Sequence, residues 1–197
     1  MAKADPEASK REKLKNIRWV LTIFFVTIFV SGAISLLSDV LMKASTMVAA
    51  FIILLIIILV GIIFDIIGMA VATADEKPFH AMAARKVAGA KDAIALLRNA
   101  ERVSSICNDV VGDICGVISG SASATIAAQI LANFEFTFPQ VVSLLMSALA
   151  AGLTVGGKAM GKGFAVNCST KIVFFVGQTI YHLKHIPNLF RKQKSRK

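Results

Sequence analysis

The chain has 197 residues, of which 56% are hydrophobic and only 17% are charged, and its mean hydropathy is +0.71. Because a soluble domain carries about a quarter charged residues, this composition excludes most soluble enzyme folds. The formal net charge is +10, from 22 Lys and Arg against 12 Asp and Glu. The basic residues flank apolar blocks, a pattern typical of membrane orientation and of contact with anionic lipids, so we do not expect nucleic-acid binding.

The first half of the chain predicts two membrane spans and a surface segment. A basic segment at 1–18 precedes an apolar block at 19–38, and a link over 39–47 leads into VAAFIILLIIILVGIIFDIIGMAVAT, the most apolar stretch. Both blocks have the length of about 20 apolar residues that a spanning helix needs. Residues 75–102 carry many charges, yet apolar side chains recur near helical spacing. This pattern predicts one or two amphipathic helices on the membrane surface.

The second half predicts two further spans and an interfacial helix. Residues 103–132 are apolar but contain Ser, Asn, Asp, Gly and Cys, which indicates a helix that faces protein or water on one side. Residues 140–155 form the fourth predicted span, which we expect to end at the glycine-rich sequence GGKAMGKG. Residues 169–183 are apolar but short for a span and are flanked by lysines, so we expect an interfacial helix there.

Together these elements predict an all-α integral membrane protein with about four transmembrane helices plus amphipathic juxtamembrane helices. The parts are a basic cytoplasmic N-terminal segment (1–18), an extra N-terminal transmembrane helix with its link (19–47), a transmembrane domain with juxtamembrane helices (48–184) and a basic C-terminal tail (185–197).

The distribution of basic residues predicts the orientation. With four crossings, all 22 Lys and Arg except Lys43 fall on one side of the membrane. The positive-inside rule then predicts a protein of the cell inner membrane with both termini cytoplasmic. The links at 39–47 and 133–140 would lie outside.

Three carboxylates, those of Asp65, Asp109 and Asp113, lie inside the apolar spans. A charged aspartate there costs roughly 2.5 to 3.5 kcal/mol, so each of these residues is expected to have a structural or functional role. Asp109 and Asp113 are four residues apart, and on an α-helix both would point to one face. Two anions that close repel each other unless a proton or a cation lies between them.

The surrounding residues offer oxygen ligands and close backbone approach. The predicted metal-site residues are Asn108, Asp109, Asp113, Gly112, Asp65 and Ser105. Oxygen ligands without imidazole or thiolate suit hard cations such as Mg²⁺, Ca²⁺ and Na⁺. An alternative stays open, in which Gly112, Gly116 and Ser119 belong to a small-residue stripe that packs helices together.

The sequence contains no motif of an enzyme that we recognise. It has no Walker loop, no G-x-S-x-G and no H-E-x-x-H, so we do not expect an enzyme. His182 and His185 are three residues apart but lack an acidic third ligand, which favours solvated surface histidines. The three cysteines, Cys107, Cys115 and Cys168, are expected to be reduced thiols.

Three segments, FDIIGMAVATAD, VSSICNDVVGDICGVI and GKAMGKGFA, occur in this order along the chain. In order and spacing they resemble motifs of the transmembrane domain of bacterial CorB and CorC and of the eukaryotic cyclin M magnesium transporters, without the cytosolic CBS pair. The likeness covers residues 51–183. The matching positions are Ala70, Asn108, Asp109, Gly157, Lys162 and Ala165, and the departures are Gly68 and Lys158, where the family has Glu, and Gly161, where it has Pro.

The resemblance implies a homodimer in which each domain has three spans and a belt of juxtamembrane helices. It implies a dehydrated Mg²⁺ held between helices by Ser and Asn side chains and backbone carbonyls, with Na⁺ as the coupling ion for export. We therefore expect a membrane transporter that exports or exchanges a divalent cation, above all Mg²⁺. The alternative is a non-transporting membrane scaffold or regulatory subunit, whose small and polar stripe serves helix packing and dimerisation.

Overall fold

The computed structural model describes residues 6–43 and 46–194, and within them every regular element is helical. The elements are α1 (Pro6–Lys43), α2 (Met47–Thr73), α3 (Lys77–Ala84), α4 (Ala90–Arg98), α5 (Ala100–Ser105), a π-helical segment (Ile106–Gly112), α6 (Asp113–Asn133), α7 (Pro139–Asn167) and α8 (Ser169–Lys194). Helix α5, the π-helical segment and α6 follow one another without a break as one long helix, Ala100–Asn133.

Among the residues that the structure describes, four helices are long and apolar enough to span a membrane: Ile17–Met42, Met47–Thr73, Ala100–Asn133 and Pro139–Asn167. The shorter helices α3 and α4 lie between the second and third spans. The predicted all-α integral membrane protein with four transmembrane helices and additional amphipathic helices is therefore confirmed.

Helix α2 lies at the centre of the bundle. It contacts α6, α7 and the π-helical segment extensively, while α1 packs mainly on α6. The side chain of Gln129 on α6 donates a hydrogen bond of 3.0 Å to the carbonyl of Met42 near the end of α1. At the opposite end of the bundle, the Arg102 guanidinium lies 5.0 Å from the ring centroid of Trp19. The start of the first span and the start of the third span are therefore on the same side.

Two apolar layers pack along α2, and a polar region separates them. The first layer contains Met42, Ala50, Leu54, Ile58, Ala122, Ile126, Ala127 and Met146. The second contains Ala70, Val71, Phe79, Ala93, Leu97, Ala165 and Val173, from α2, α3, α4, α7 and α8. Asp65 lies between the two layers on α2, eight residues before the helix ends. At 1.5 Å per residue, it is about 12 Å along the helix axis from the C-terminal end of α2.

Several helix boundaries differ from the sequence expectation. Helix α1 begins at Pro6, within the predicted segment 1–18, because that segment consists mainly of good helix formers and proline is tolerated in a first turn. Helix α7 continues through the glycine-rich sequence to Asn167. Gly157 and Gly161 make this possible, since a Cβ at either position would collide with Ile62 or Ile66 of α2. The glycines therefore serve close helix packing and do not end the span.

Candidate intramembrane polar site

Lys158 of α7 lies between two aspartates from different helices. Its Nζ is 3.7 Å from Oδ1 of Asp65 on α2 and 3.6 Å from Oδ1 of Asp113 at the start of α6. The Asp65 side chain is 8% exposed and that of Lys158 20%, whereas that of Asp113 is 72% exposed. The ammonium group therefore supplies the positive charge that the buried aspartate requires in an apolar span.

Gly112 leaves space for this ammonium group. A Cβ at Gly112 would lie 3.2 Å from Nζ of Lys158 and 3.5 Å from Oδ1 of Asp65. Any side chain at this position would crowd the ion pair. The predicted site residues Asp65, Gly112 and Asp113 thus come together, and their common neighbour is a lysine.

Asn108 lies in the π-helical segment and points towards α2. A Cβ added to Gly68 would overlap its Oδ1 atom, so the missing side chain at Gly68 makes room for the amide. Its Nδ2 donates a hydrogen bond of 3.3 Å to Oγ of Ser104. Its Oδ1 is buried and has no hydrogen-bond partner among the described residues. Within the described part of the chain, this acceptor in a membrane span therefore has no donor.

Asp109 and Ser105 form a separate group. The hydroxyl of Ser105 donates a hydrogen bond of 2.7 Å to Oδ2 of Asp109. Both residues line an open cavity of about 460 Å³, together with Glu101 and Ser104. The walls of this cavity thus carry hydroxyl and carboxylate oxygens.

Asp109 and Asp113 therefore have different partners, although the spacing of four residues predicts that they share one face of an α-helix. The difference arises at the π-helical segment Ile106–Gly112. Its hydrogen bonds join residues five apart, so the angular spacing of side chains changes there. Such segments occur frequently at functional sites.

Lys158 is the site residue that sequence reasoning missed. The sequence predicts that the fourth span ends at the glycine-rich segment that contains Lys158, whereas the helix continues to Asn167. One signal could have revealed it: aspartates within spans need a cation, and Lys158 is the first basic residue of the last apolar block.

The donor set of the site consists of oxygen. Within residues 6–43 and 46–194, no three His, Cys, Asp or Glu side chains form a group that could hold a metal ion. A cation site in this region must therefore combine the carboxylates with amide, hydroxyl or backbone oxygens. The cysteines Cys107, Cys115 and Cys168 are free thiols, and His182 and His185 lie exposed on α8.

No protein-family model matches the chain, and a comparison with curated proteins found no match.

Proposed function

We propose that the protein is a membrane transporter of a divalent cation, above all Mg²⁺, which binds beside Asn108, Asp65 and Asp113 and is exported or exchanged across the inner membrane. The observation that carries this proposal is the buried Oδ1 of Asn108, which has no hydrogen-bond partner in the described part of the chain. Such an acceptor costs roughly 1–3 kcal/mol. A hard cation would recover this free energy, because amide and carboxylate oxygens are its preferred ligands.

Lys158 has a defined role in this proposal. Its ammonium group lies between the two carboxylates that would neutralise the cation. An entering Mg²⁺ displaces the ammonium group, and the returning ammonium group releases the ion. The protein would thus carry its own competing cation, tethered to α7. Na⁺ is the coupling ion that we propose, and the working unit is a homodimer with both termini cytoplasmic.

A second candidate function is a membrane scaffold or regulatory subunit that transports nothing. Two observations favour it. Asp65 and Asp113 already have a cationic partner. Apart from the backbone of α6 itself and the adjoining residues, no described atom lies within 4 Å of where a Cβ on Gly116 or Gly120 would be. Small residues on an open helix face allow close approach of another helix, and this face could serve as a dimer interface.

Thermal unfolding of the purified full chain in neutral detergent, titrated with Mg²⁺, Ca²⁺, Mn²⁺ and Na⁺, distinguishes the two functions. A cation binder gains RT ln(1 + [L]/Kd), about 2.7 kcal/mol at one hundred times Kd, and a scaffold gains nothing. We expect Asn108→Ala and Asp113→Ala each to weaken Mg²⁺ binding at least about tenfold, which equals about 1.4 kcal/mol.

Ser119→Ala is the matched control. Ser119 is buried on the same long helix, but its hydroxyl bonds to the Cys115 carbonyl at 2.6 Å, so its loss should leave Mg²⁺ affinity unchanged. Uptake of Mg²⁺ into proteoliposomes, followed with an enclosed indicator dye, then tests transport. If Asn108→Ala and Asp113→Ala leave the Mg²⁺ shift intact but break the dimer, the scaffold function is correct.

A further inference from the structure

A second cavity, with several charged residues in its lining, is formed outside the four spans. It has a volume of about 550 Å³ and is enclosed by the turn between α3 and α4 and by the outer part of α8. Its basic lining residues are Lys86, Lys91, Lys184 and His185, and its single acid is Asp92. The volume is within the range of small-molecule sites.

The charges of this cavity are unbalanced. Nζ of Lys184 lies 2.6 Å from Oδ1 of Asp92, so these two groups neutralise each other. Lys86 and Lys91 form no ion pair with any described residue, and both are exposed. Two positive charges therefore remain beside the cavity, and they favour an anionic ligand.

Lys86 adopts a backbone conformation that would favour glycine. Its φ is +56°, and it follows the last turn of α3, where the Val87 N–H bonds to the Met82 carbonyl and the Lys86 N–H to the Ala83 carbonyl. These bonds define a Schellman motif, whose left-handed position is usually glycine. Residues in sparsely populated backbone conformations cluster at functional sites.

The helices that line the cavity follow closely after the ends of two spans, where lipid headgroups are expected. Helix α3 begins four residues after α2 ends, and α8 begins two residues after α7 ends. These two span ends lie on one side of the bundle, because α2 and α7 both pack with α8 through the second apolar layer. Phe175 and Leu183 of α8 are exposed apolar side chains, which suit contact with acyl chains.

We propose that this cavity binds the phosphate headgroup of an anionic glycerophospholipid, with Lys86 and Lys91 as the residues that recognise its charge. The apolar side chains of Ala83 and Val87 also line the cavity and adjoin the glycerol end of such a lipid. The inference is independent of cation transport, since none of these residues belongs to the intramembrane site.

The test uses the full chain in neutral detergent, titrated with dioctanoyl phosphatidylglycerol. Bound lipid is counted by native mass spectrometry and the thermal shift is recorded in parallel. A lysine near a charged lipid contributes about 1 kcal/mol, so Lys86→Gln and Lys91→Gln should each weaken binding about fivefold. Lys171→Gln is the matched control, because Lys171 is exposed on α8 and lies outside the cavity.

Two further variants separate recognition from folding. Lys86→Arg keeps the charge and should keep the affinity. Asp92→Asn releases Lys184 from its ion pair and should tighten binding, a gain that misfolding cannot produce.

Three results would overturn the proposal. An equal loss of lipid affinity in Lys171→Gln would mean that the lipid is attracted by the general positive charge of the surface and not by this cavity. Equal stabilisation by dioctanoyl phosphatidylcholine would mean that the acyl chains alone bind. Equal stabilisation by inorganic phosphate would identify a soluble phosphate as the ligand in place of a lipid.

Discussion

Replacing Lys158 by Met removes the tethered cation but keeps an unbranched side chain of similar length. At 3.7 Å from Asp65 and an effective dielectric constant near 20, the attraction between the two charges is about 4 kcal/mol. Removing one partner of a buried pair typically costs roughly 3–5 kcal/mol, because the other charge stays buried. We expect Lys158→Met to lower the free energy of unfolding by about 3 kcal/mol, or about 6–12 °C in Tm for a chain of this size.

Mg²⁺ should reverse this loss. In the wild-type chain the ion must displace the ammonium group, whereas in Lys158→Met the carboxylates of Asp65 and Asp113 are free to bind it. We expect Mg²⁺ affinity to rise at least about tenfold, equivalent to about 1.4 kcal/mol. The assay is the Tm of the detergent-purified chain as a function of Mg²⁺ concentration. Lys162→Met, an exposed lysine on the same helix, is the control and should behave as the wild type.

A double variant separates the cation site from simple charge packing. Asp65→Asn in the Lys158→Met background removes the carboxylate that has lost its ammonium partner. Most of the lost stability should therefore return, and the rise in Tm with Mg²⁺ should become smaller. If Lys158→Met is destabilised but gains no more from Mg²⁺ than Lys162→Met does, the aspartates serve only to pair with the lysine. The reasoning behind the transport proposal would then be refuted.

Four further predictions follow from particular contacts. Gly68→Ala should lose about 1–3 kcal/mol and weaken Mg²⁺ binding, because its Cβ overlaps Asn108, whereas Gly152→Ala, which has open space, should be neutral or stabilising in thermal unfolding. Lys86→Gly should raise stability by about 1 kcal/mol through relief of the left-handed backbone while it lowers lipid binding; a fall in both would show that the turn is unstrained. Deleting residues 1–45 should lower Tm but leave the Mg²⁺ shift, since α1 contributes no residue to the site; loss of the shift in a folded truncation would contradict this. A cysteine at Thr137 should react with an impermeant thiol reagent only from outside the cell, and labelling only from the cytoplasmic side would reverse the topology.

The sequence predicts the spans of this protein well, because long apolar blocks leave few alternatives. Helix α2 and the third span were expected within a few residues of where they lie. The length of α7 could not be predicted, because a glycine cluster in a sequence usually indicates a helix end. Only the tertiary structure shows that these glycines pack against Ile62 and Ile66 of α2.

The acidic and amide residues of the candidate site are predictable from the sequence, but Lys158 and the arrangement of the site are not. Asp65 and Asp113 are conspicuous as carboxylates in apolar spans, and Asn108 lies five residues before Asp113 in the sequence. The π-helical segment leaves no local sequence signal, so the separation of Asp109 from Asp113 could not be deduced. The partnership with Lys158 depends on the packing of α7 against α2, which is a property of the tertiary structure.

The buried pair of Asp65 and Lys158 also constrains how the chain enters the membrane during synthesis. Asp65 emerges from the ribosome about ninety residues before Lys158, so at about 5–20 residues per second it waits several seconds for its partner. Helix α2 must therefore insert while it carries a lone aspartate. On the order of five to ten Ile, Leu, Phe or Val residues offset one such charge on the insertion scale, and α2, with a mean hydropathy of 3.4, has the most apolar window of the four spans. We therefore expect the high apolarity of α2 to support its insertion, and polar substitutions in α2 should reduce membrane insertion before they affect the finished bundle.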